Sequence, residues 1–298
     1  MTDFDSPVAV GRVTLRNPVI ASSGTYGYGL EYRRYGDPAL LGAVVVKSLT
    51  VDPRPGHPPP RVAPIPEPPG SMLNAVGVPN PGVRQWAEGI LPGMLAAGAP
   101  VVASVWGLSA DAIVASAELL SGYRGPLAWE VNLSCPNSEH GGPPVSHDPP
   151  AAASVCAAIR ALAPDEVGVW AKLAPDAPDV SAVAAACAGA GVDAVTVSNT
   201  HPAATAPHIP VPTHLGGGTG GMSGSVLRPF VERLVDELVA TQPDLPVLAC
   251  GGVLSSEIAL AYLDRGATAV QVGTASLYDP RACHKIARGL VRRLQERG

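Results

Sequence analysis

Paired cysteines are missing from this sequence. Its five cysteines, Cys135, Cys156, Cys187, Cys250 and Cys283, are scattered, odd in number and never spaced as Cys-x-x-Cys. That argues against a disulfide framework, a zinc site or an iron–sulfur cluster carried by this chain, and no metal is expected. Basic runs are missing too, and the net charge is −5, so the chain shows no nucleic-acid footprint. Aromatic residues supply only 4% of the chain and charged residues 15%. The core must therefore be built from Ala, Val, Leu and Ile, and an apolar share of 46% argues against disorder. The opening MTDFDSPVAV is acidic and has no long apolar stretch. Neither a signal peptide nor a membrane span is expected, and the prior is a cytoplasmic enzyme.

What is present is a rhythm. Eight short apolar runs read as strands: PVIASSG, AVVVKSLT, VVASVWG, LAWEVNLSC, VGVWAKLAP, AVTVSNT, PVLACGG and AVQVGTASL. Near-continuous apolar runs fit strands buried on both faces. Between most of them lie Ala/Leu-rich amphipathic segments, at 111–122, 149–163, 179–190, 226–241 and 255–265, with a last helix over 281–297. Eight strand-then-helix units in 298 residues predict a (β/α)8 TIM barrel, one domain spanning 1–298. A doubly wound open sheet is the alternative. Two long insertions interrupt the rhythm: the proline-rich 51–80 after the second strand and 201–224 after the sixth. Loops this long in a compact domain are usually functional or disordered. The first reads as a stiff surface excursion whose ending NAVGVPN could line a pocket.

Polar residues gather where such strands end. Lys47 ends the second strand, Asn132 the fourth, Lys172 the fifth and Asn199 the sixth. In a barrel these C-terminal ends converge on one mouth, where active sites are built. A lysine in a valine-rich strand is costly to bury without an anionic partner, so two of them favour a site. Gly251 and Gly252 end the seventh strand, and Gly273 and Thr274 lie late in the eighth. Backbone N–H groups approach phosphate oxygens only where no side chain intervenes, so these positions suit a phosphate. The run LGGGTGGMSG, 215–224, adds Gly224. Cys135, in EVNLSCPNSEHGG, has two readings: a small buried hydrophobe, or an acid/base group on a loop over the site. The other four cysteines read as packing residues.

Taken together, NPVIASSGTYGYG, VVVKSLT, NAVGVPNPG, EVNLSCPN, WAKLAP, VSNT, GGMSG, ACGG and VQVGTA resemble, in order and spacing, the class 1 dihydroorotate dehydrogenases. The resemblance runs nearly end to end and implies an FMN-containing barrel that oxidises (S)-dihydroorotate to orotate in pyrimidine (UMP) biosynthesis. By that resemblance Cys135 takes the catalytic-base position. Lys47, Asn74, Ala75, Val76, Gly77, Val78, Asn132, Asn199 and Thr200 resemble the substrate shell. Ser23, Lys47, Ser48, Asn132, Lys172, Val197, Gly224, Gly251, Gly252, Gly273 and Thr274 resemble the flavin-binding positions. One departure stands in the third strand, where the family commonly has Asn and this chain has Ser104. A hydroxyl reaches less far, which puts a direct flavin contact there in question.

The residue types fit that chemistry. A hydride needs an acceptor no side chain supplies, so a flavin must carry it. A free thiol has a pKa near 8.5 and is only a few per cent thiolate at neutral pH, so a cysteine base implies activity rising with pH. The loop PNSEHGG is expected to close Cys135 over substrate. CPNSEHGG resembles the NAD-linked 1B type more than the fumarate-linked 1A type, which implies a partner subunit carrying FAD and a 2Fe–2S cluster. A homodimer is also expected. Other readings are another FMN barrel acting on a pyrimidine, a Schiff-base aldolase using Lys47 or Lys172, and a non-catalytic binding paralogue.

Overall fold

The structure, a computed structural model, describes residues 3–134, 144–204, 215 and 219–297. The eight runs form the eight strands of a closed parallel barrel in sequential order. In chain order these are Val19–Ala21, Ala43–Val45, Val101–Val105, Ala128–Asn132, Gly168–Lys172, Ala194–Val197, Val247–Cys250 and Ala269–Val272. The eighth closes on the first, with Gln271 opposite Ile20. The barrel is therefore the observed fold, not the open sheet.

Period-two alternation sorts the side chains. Ile20, Val45, Val102, Ala128, Trp170, Ala194, Leu248 and Ala269 share one apolar cluster inside the barrel. Residues of opposite parity, such as Val19, Val44, Val101, Trp129, Val169, Val195 and Val270, belong to the larger cluster beneath the helices. Successive side chains on a strand point to opposite faces, which is why one valine-rich run serves both. An antiparallel hairpin, Val8–Val10 with Val13–Leu15, adds Val10, Val13 and Leu15 to the inner cluster and caps it from below. Two positions further along each strand the inward residues turn polar: Ser22, Lys47, Ser104, Glu130, Lys172, Thr196, Cys250 and Gln271. The barrel is thus apolar at its base and polar toward its mouth.

The helices follow closely: Ala110–Ser121, Pro149–Leu162, Val180–Gly189, Arg228–Thr241, Ser256–Asp264 and Ala282–Gln295. Four start on a side-chain cap, with Ser109, Asp148, Asp179 and Ser255 each accepting from a first-turn N–H; such caps stabilise by roughly 1 kcal/mol each. Three helices went unread in the sequence: Val83–Gly89, Leu91–Ala96 and the short Thr274–Tyr278. No helix among the described residues is long and apolar enough to cross a membrane.

The insertions differ most from their sequence reading. Each contributes two strands, and they pair with one another in one antiparallel sheet ordered His201–Ala204, Thr219–Gly224, Ser71–Asn74, Val62–Ile65. Gly224 stands opposite Ser71, and Ile65 opposite Ser71 on its other side. Ala63, Leu73, Ala75 and Leu215 form its small apolar core. The pattern was hidden because Pro64 and the glycines of TGGMSG are poor strand formers. Pro64 is tolerated because its strand lies at the sheet edge.

Candidate functional site

The polar strand ends and the insertion sheet enclose a cavity of about 620 Å³. Its described wall carries three cations, Lys47, Lys172 and Arg61, and no Asp or Glu.

One side is a chain of hydrogen bonds across strand ends. Asn132 Nδ2 donates to Ser48 Oγ at 3.1 Å, and Ser48 Oγ lies 2.9 Å from Ser104 Oγ. Asn199 Nδ2 donates to Asn132 Oδ1 at 3.1 Å and to Ser134 Oγ at 3.0 Å, while its Oδ1 accepts from the Thr200 N–H at 2.8 Å. Trp106 Nε1 donates to the Ser134 carbonyl at 3.0 Å. Ser134 is therefore held on the cavity wall, one peptide bond before Cys135. Cys135 and the loop PNSEHGG lie outside the described residues. Ser104 is fully buried and does not border the cavity; its hydroxyl meets Ser48 behind the wall. We expect Ser104→Ala to cost about 1 kcal/mol of stability in a denaturant titration, because Ser48 keeps its bond from Asn132. Ligand binding should be nearly unchanged, and a loss beyond about tenfold would mean that Ser104 contacts the ligand directly.

The floor is ionic. Lys172 Nζ donates to Ser22 Oγ at 3.3 Å and to Gln271 Oε1 at 3.2 Å, and Glu130 Oε1 lies 3.7 Å away. Burial pulls the Lys172 pKa down, but Cys250 and Glu130 outweigh it, and the ammonium is held above its usual range. Lys47 differs. Burial and the nearby Lys172 charge lower its pKa to about 8, and among the described residues it has no acidic partner. Gly24 leaves it room, since a Cβ there would stand 2.9 Å from Lys47 Nζ.

The opposite side is small and flexible in chemistry. Gly251, Gly252, Gly273 and Thr274 line it, and Thr274 Oγ1 donates to Ser223 Oγ at 2.9 Å. At Gly273 a Cβ would meet nothing nearer than 3.6 Å, so the space it would fill is open. Gly224 also lines the cavity, yet its φ of 89° and the clash that a Cβ there would make with the Gly70 carbonyl make glycine necessary for the sheet itself. Ser23 lines the wall and donates to the Val46 carbonyl at 2.8 Å. At the rim, Asn74 Nδ2 donates to the Gly221 carbonyl at 3.0 Å. Val78 holds a φ of 52°, unusual for a β-branched residue. Strain of this kind concentrates at ligand sites.

Most residues proposed from the sequence thus meet at one cavity. Ala75 and Val197 do not border it: Ala75 packs into the insertion-sheet core, and Val197 points outward to the helices. Ser22, Arg61, Trp106, Ser134, Ser223 and Gln271 line the cavity without having been singled out. For Ser22 and Gln271 the signal was available, since they share the inward parity of Lys172.

The dihydroorotate dehydrogenase family model matches residues 7–294. A protein of Trichlorobacter lovleyi named dihydroorotate dehydrogenase B (NAD(+)), catalytic subunit, is 41% identical over 98% of this chain and 94% of its own length. Proteins of the same name from Desulforudis audaxviator and Geobacter sulfurreducens are 40% and 37% identical, over 98% and 99% of this chain and 93% and 94% of theirs.

Proposed function

The chain belongs to the dihydroorotate dehydrogenase family, and we propose that it oxidises (S)-dihydroorotate to orotate in pyrimidine biosynthesis, as a single FMN-binding barrel serving as catalytic subunit of an NAD-linked enzyme. One observation carries the reading: among the described residues the cavity wall holds three cations and no acid. That is a site for anions, and both a phosphate-bearing flavin and a carboxylate substrate are anions.

The residues present fit FMN. Gly251, Gly252, Gly273 and Thr274 would hold the phosphate where the backbone is open, and Ser23, Ser48, Asn132 and Lys172 would hold the ring system. When bound, FMN would accept the hydride that leaves C6 of the substrate. Lys47, which has no acidic partner among the described residues, would take the substrate carboxylate. Asn74, Asn132, Asn199 and Thr200, all half-buried, would pair with its amide edges, which disfavours ligands that leave these groups unpaired. Cys135 would remove the C5 proton.

Electrons must then leave through a partner. Within the sequence no GxGxxG opens a helix after a strand, and its scattered cysteines do not form a cluster motif. The names of the relatives, each a catalytic subunit of an NAD(+) enzyme, support a second subunit, with FAD and a 2Fe–2S cluster. The test is anaerobic. Dihydroorotate should bleach the FMN of the purified chain, and NADH should form from NAD⁺ only when a flavin/iron–sulfur subunit is co-expressed. Rapid NADH formation by the chain alone would overturn the two-subunit reading. Fast turnover with fumarate would favour the 1A type, and a chain that neither retains nor takes up FMN would overturn the flavin.

A further inference from the structure

Glu130 is a fully buried carboxylate whose two oxygens are treated differently. Oε2 accepts from Gln271 Nε2 at 2.6 Å and from Thr196 Oγ1 at 3.1 Å. Oε1 accepts no hydrogen bond, and Lys172 Nζ stands 3.7 Å from it. Burying a charge with half its acceptor capacity unused is costly, and a well-packed apolar side chain would often serve stability as well or better. Ala128, two residues earlier on the same strand, shows that this inward row accommodates apolar residues. Stability therefore does not account for Glu130.

Its neighbours do. Gln271 commits its NH2 to Glu130 and Thr196, so its carbonyl oxygen is turned toward Lys172 and Ser22. Two Lys172 N–H groups are thereby occupied, and the ammonium still borders the cavity with one left. Among the described residues the groups facing it are Glu130, Cys250 and the cation Lys47, with neutral Ser22 and Gln271. Glu130 is the only carboxylate among them.

We propose that Glu130 is a positioning residue, a sealed counter-ion that keeps the Lys172 ammonium charged and aimed at the bound flavin. It acts by its own charge and by fixing the orientation of the Gln271 amide. Without that charge only Cys250 is left to oppose burial and Lys47, which both favour the neutral amine, and Gln271 is free to turn its NH2 toward the lysine.

The inference rests on the FMN reading of the site, and the experiment separates the two. FMN-loaded native, Glu130→Gln, Glu130→Asp, Lys172→Met and Glu130→Gln/Lys172→Met proteins are equilibrated with a redox dye. The ratio of reduced to oxidised flavin is read from about pH 6 to about pH 9. At the upper end Glu130→Gln should hold a ratio at least about tenfold below native, the worth of one pKa unit. The deficit should shrink as pH falls and the lysine recovers its proton. Glu130→Asp, still charged, should follow the native profile in shape. With Lys172→Met as background, Glu130→Gln should change the ratio by less than about twofold, as expected once the partner is gone. A deficit that is independent of pH, or that persists undiminished with Lys172→Met, would overturn the proposal. So would failure of both Glu130→Gln proteins to fold. Folding of the double variant alone would support it. Native protein that binds no FMN would instead fell the flavin reading.

Discussion

Cys135→Ala should keep its FMN and lose about 10²–10⁴-fold in the rate at which dihydroorotate reduces it, the usual worth of a general base. The C5 proton has to leave for the C5–C6 double bond to form. The described wall offers two lysines, an arginine, the thiol of Cys250, amides and hydroxyls. Lys172 is held charged and is no base, and Lys47 is better placed to grip an anion. A thiolate is the remaining candidate: Cys250 lies on the floor, 3.5 Å from Ser22 Oγ, whereas Cys135 holds the position that the family resemblance gives the base, and the chain is pinned at Ser134 immediately before it. Cys135→Ser should regain some rate only at high pH, since a hydroxyl is a far weaker acid than a thiol. Stopped-flow bleaching under anaerobic conditions measures this directly. A rate near native in the Ala variant at neutral pH removes Cys135 from the mechanism.

Lys47→Met should weaken dihydroorotate and orotate binding by about 10²-fold, from about 3 kcal/mol for breaking a buried charge pair. The methionine fills similar space without charge. The ammonium has a pKa of about 8 in the free protein, down from 10.5, so its charge fades as pH rises through that value. Cys135 becomes a better base over nearly the same range. The native kcat/KM should therefore rise and then fall with pH, and Lys47→Met should lose the falling limb. Linkage gives a second sign. A lysine with a lowered folded pKa binds its proton more weakly than the unfolded chain does, so it disfavours folding below about 8 and stops doing so as pH approaches 10.5. Lys47→Met should thus raise the Tm of the ligand-free protein at neutral pH while damaging binding. Unchanged substrate affinity would show that the lysine serves something other than the carboxylate.

The barrel was legible because its strands are buried on both faces and read as unbroken apolar runs. Lys47, Asn132 and Lys172 stood out because polar residues there contradict those runs. The insertion sheet was not legible, since Pro64 and the glycines of 219–224 disguise strands that exist only by pairing across the two insertions. Parity was the signal left unused. Val197 and Thr196 are adjacent, yet only Thr196 joins the inner polar row. The same count points to Ser22, Glu130 and Gln271, which read in sequence as ordinary strand residues.

That inner polar row has an evolutionary consequence. Strand segments can drift by substitution but not by length. Removing one residue ahead of Glu130 within its strand would turn its carboxylate out among the helices and bring Trp129 or Val131 into the barrel lumen, because a slip of one exchanges the faces. Core and site would be lost in one step, since both are written on alternate positions of the same segment. The connections after the second and sixth strands face the opposite constraint. They can lengthen at their tips while the strands at their bases stay paired. Heritable change in what this barrel accepts should therefore accumulate as altered residues in the strands and altered lengths in those two connections.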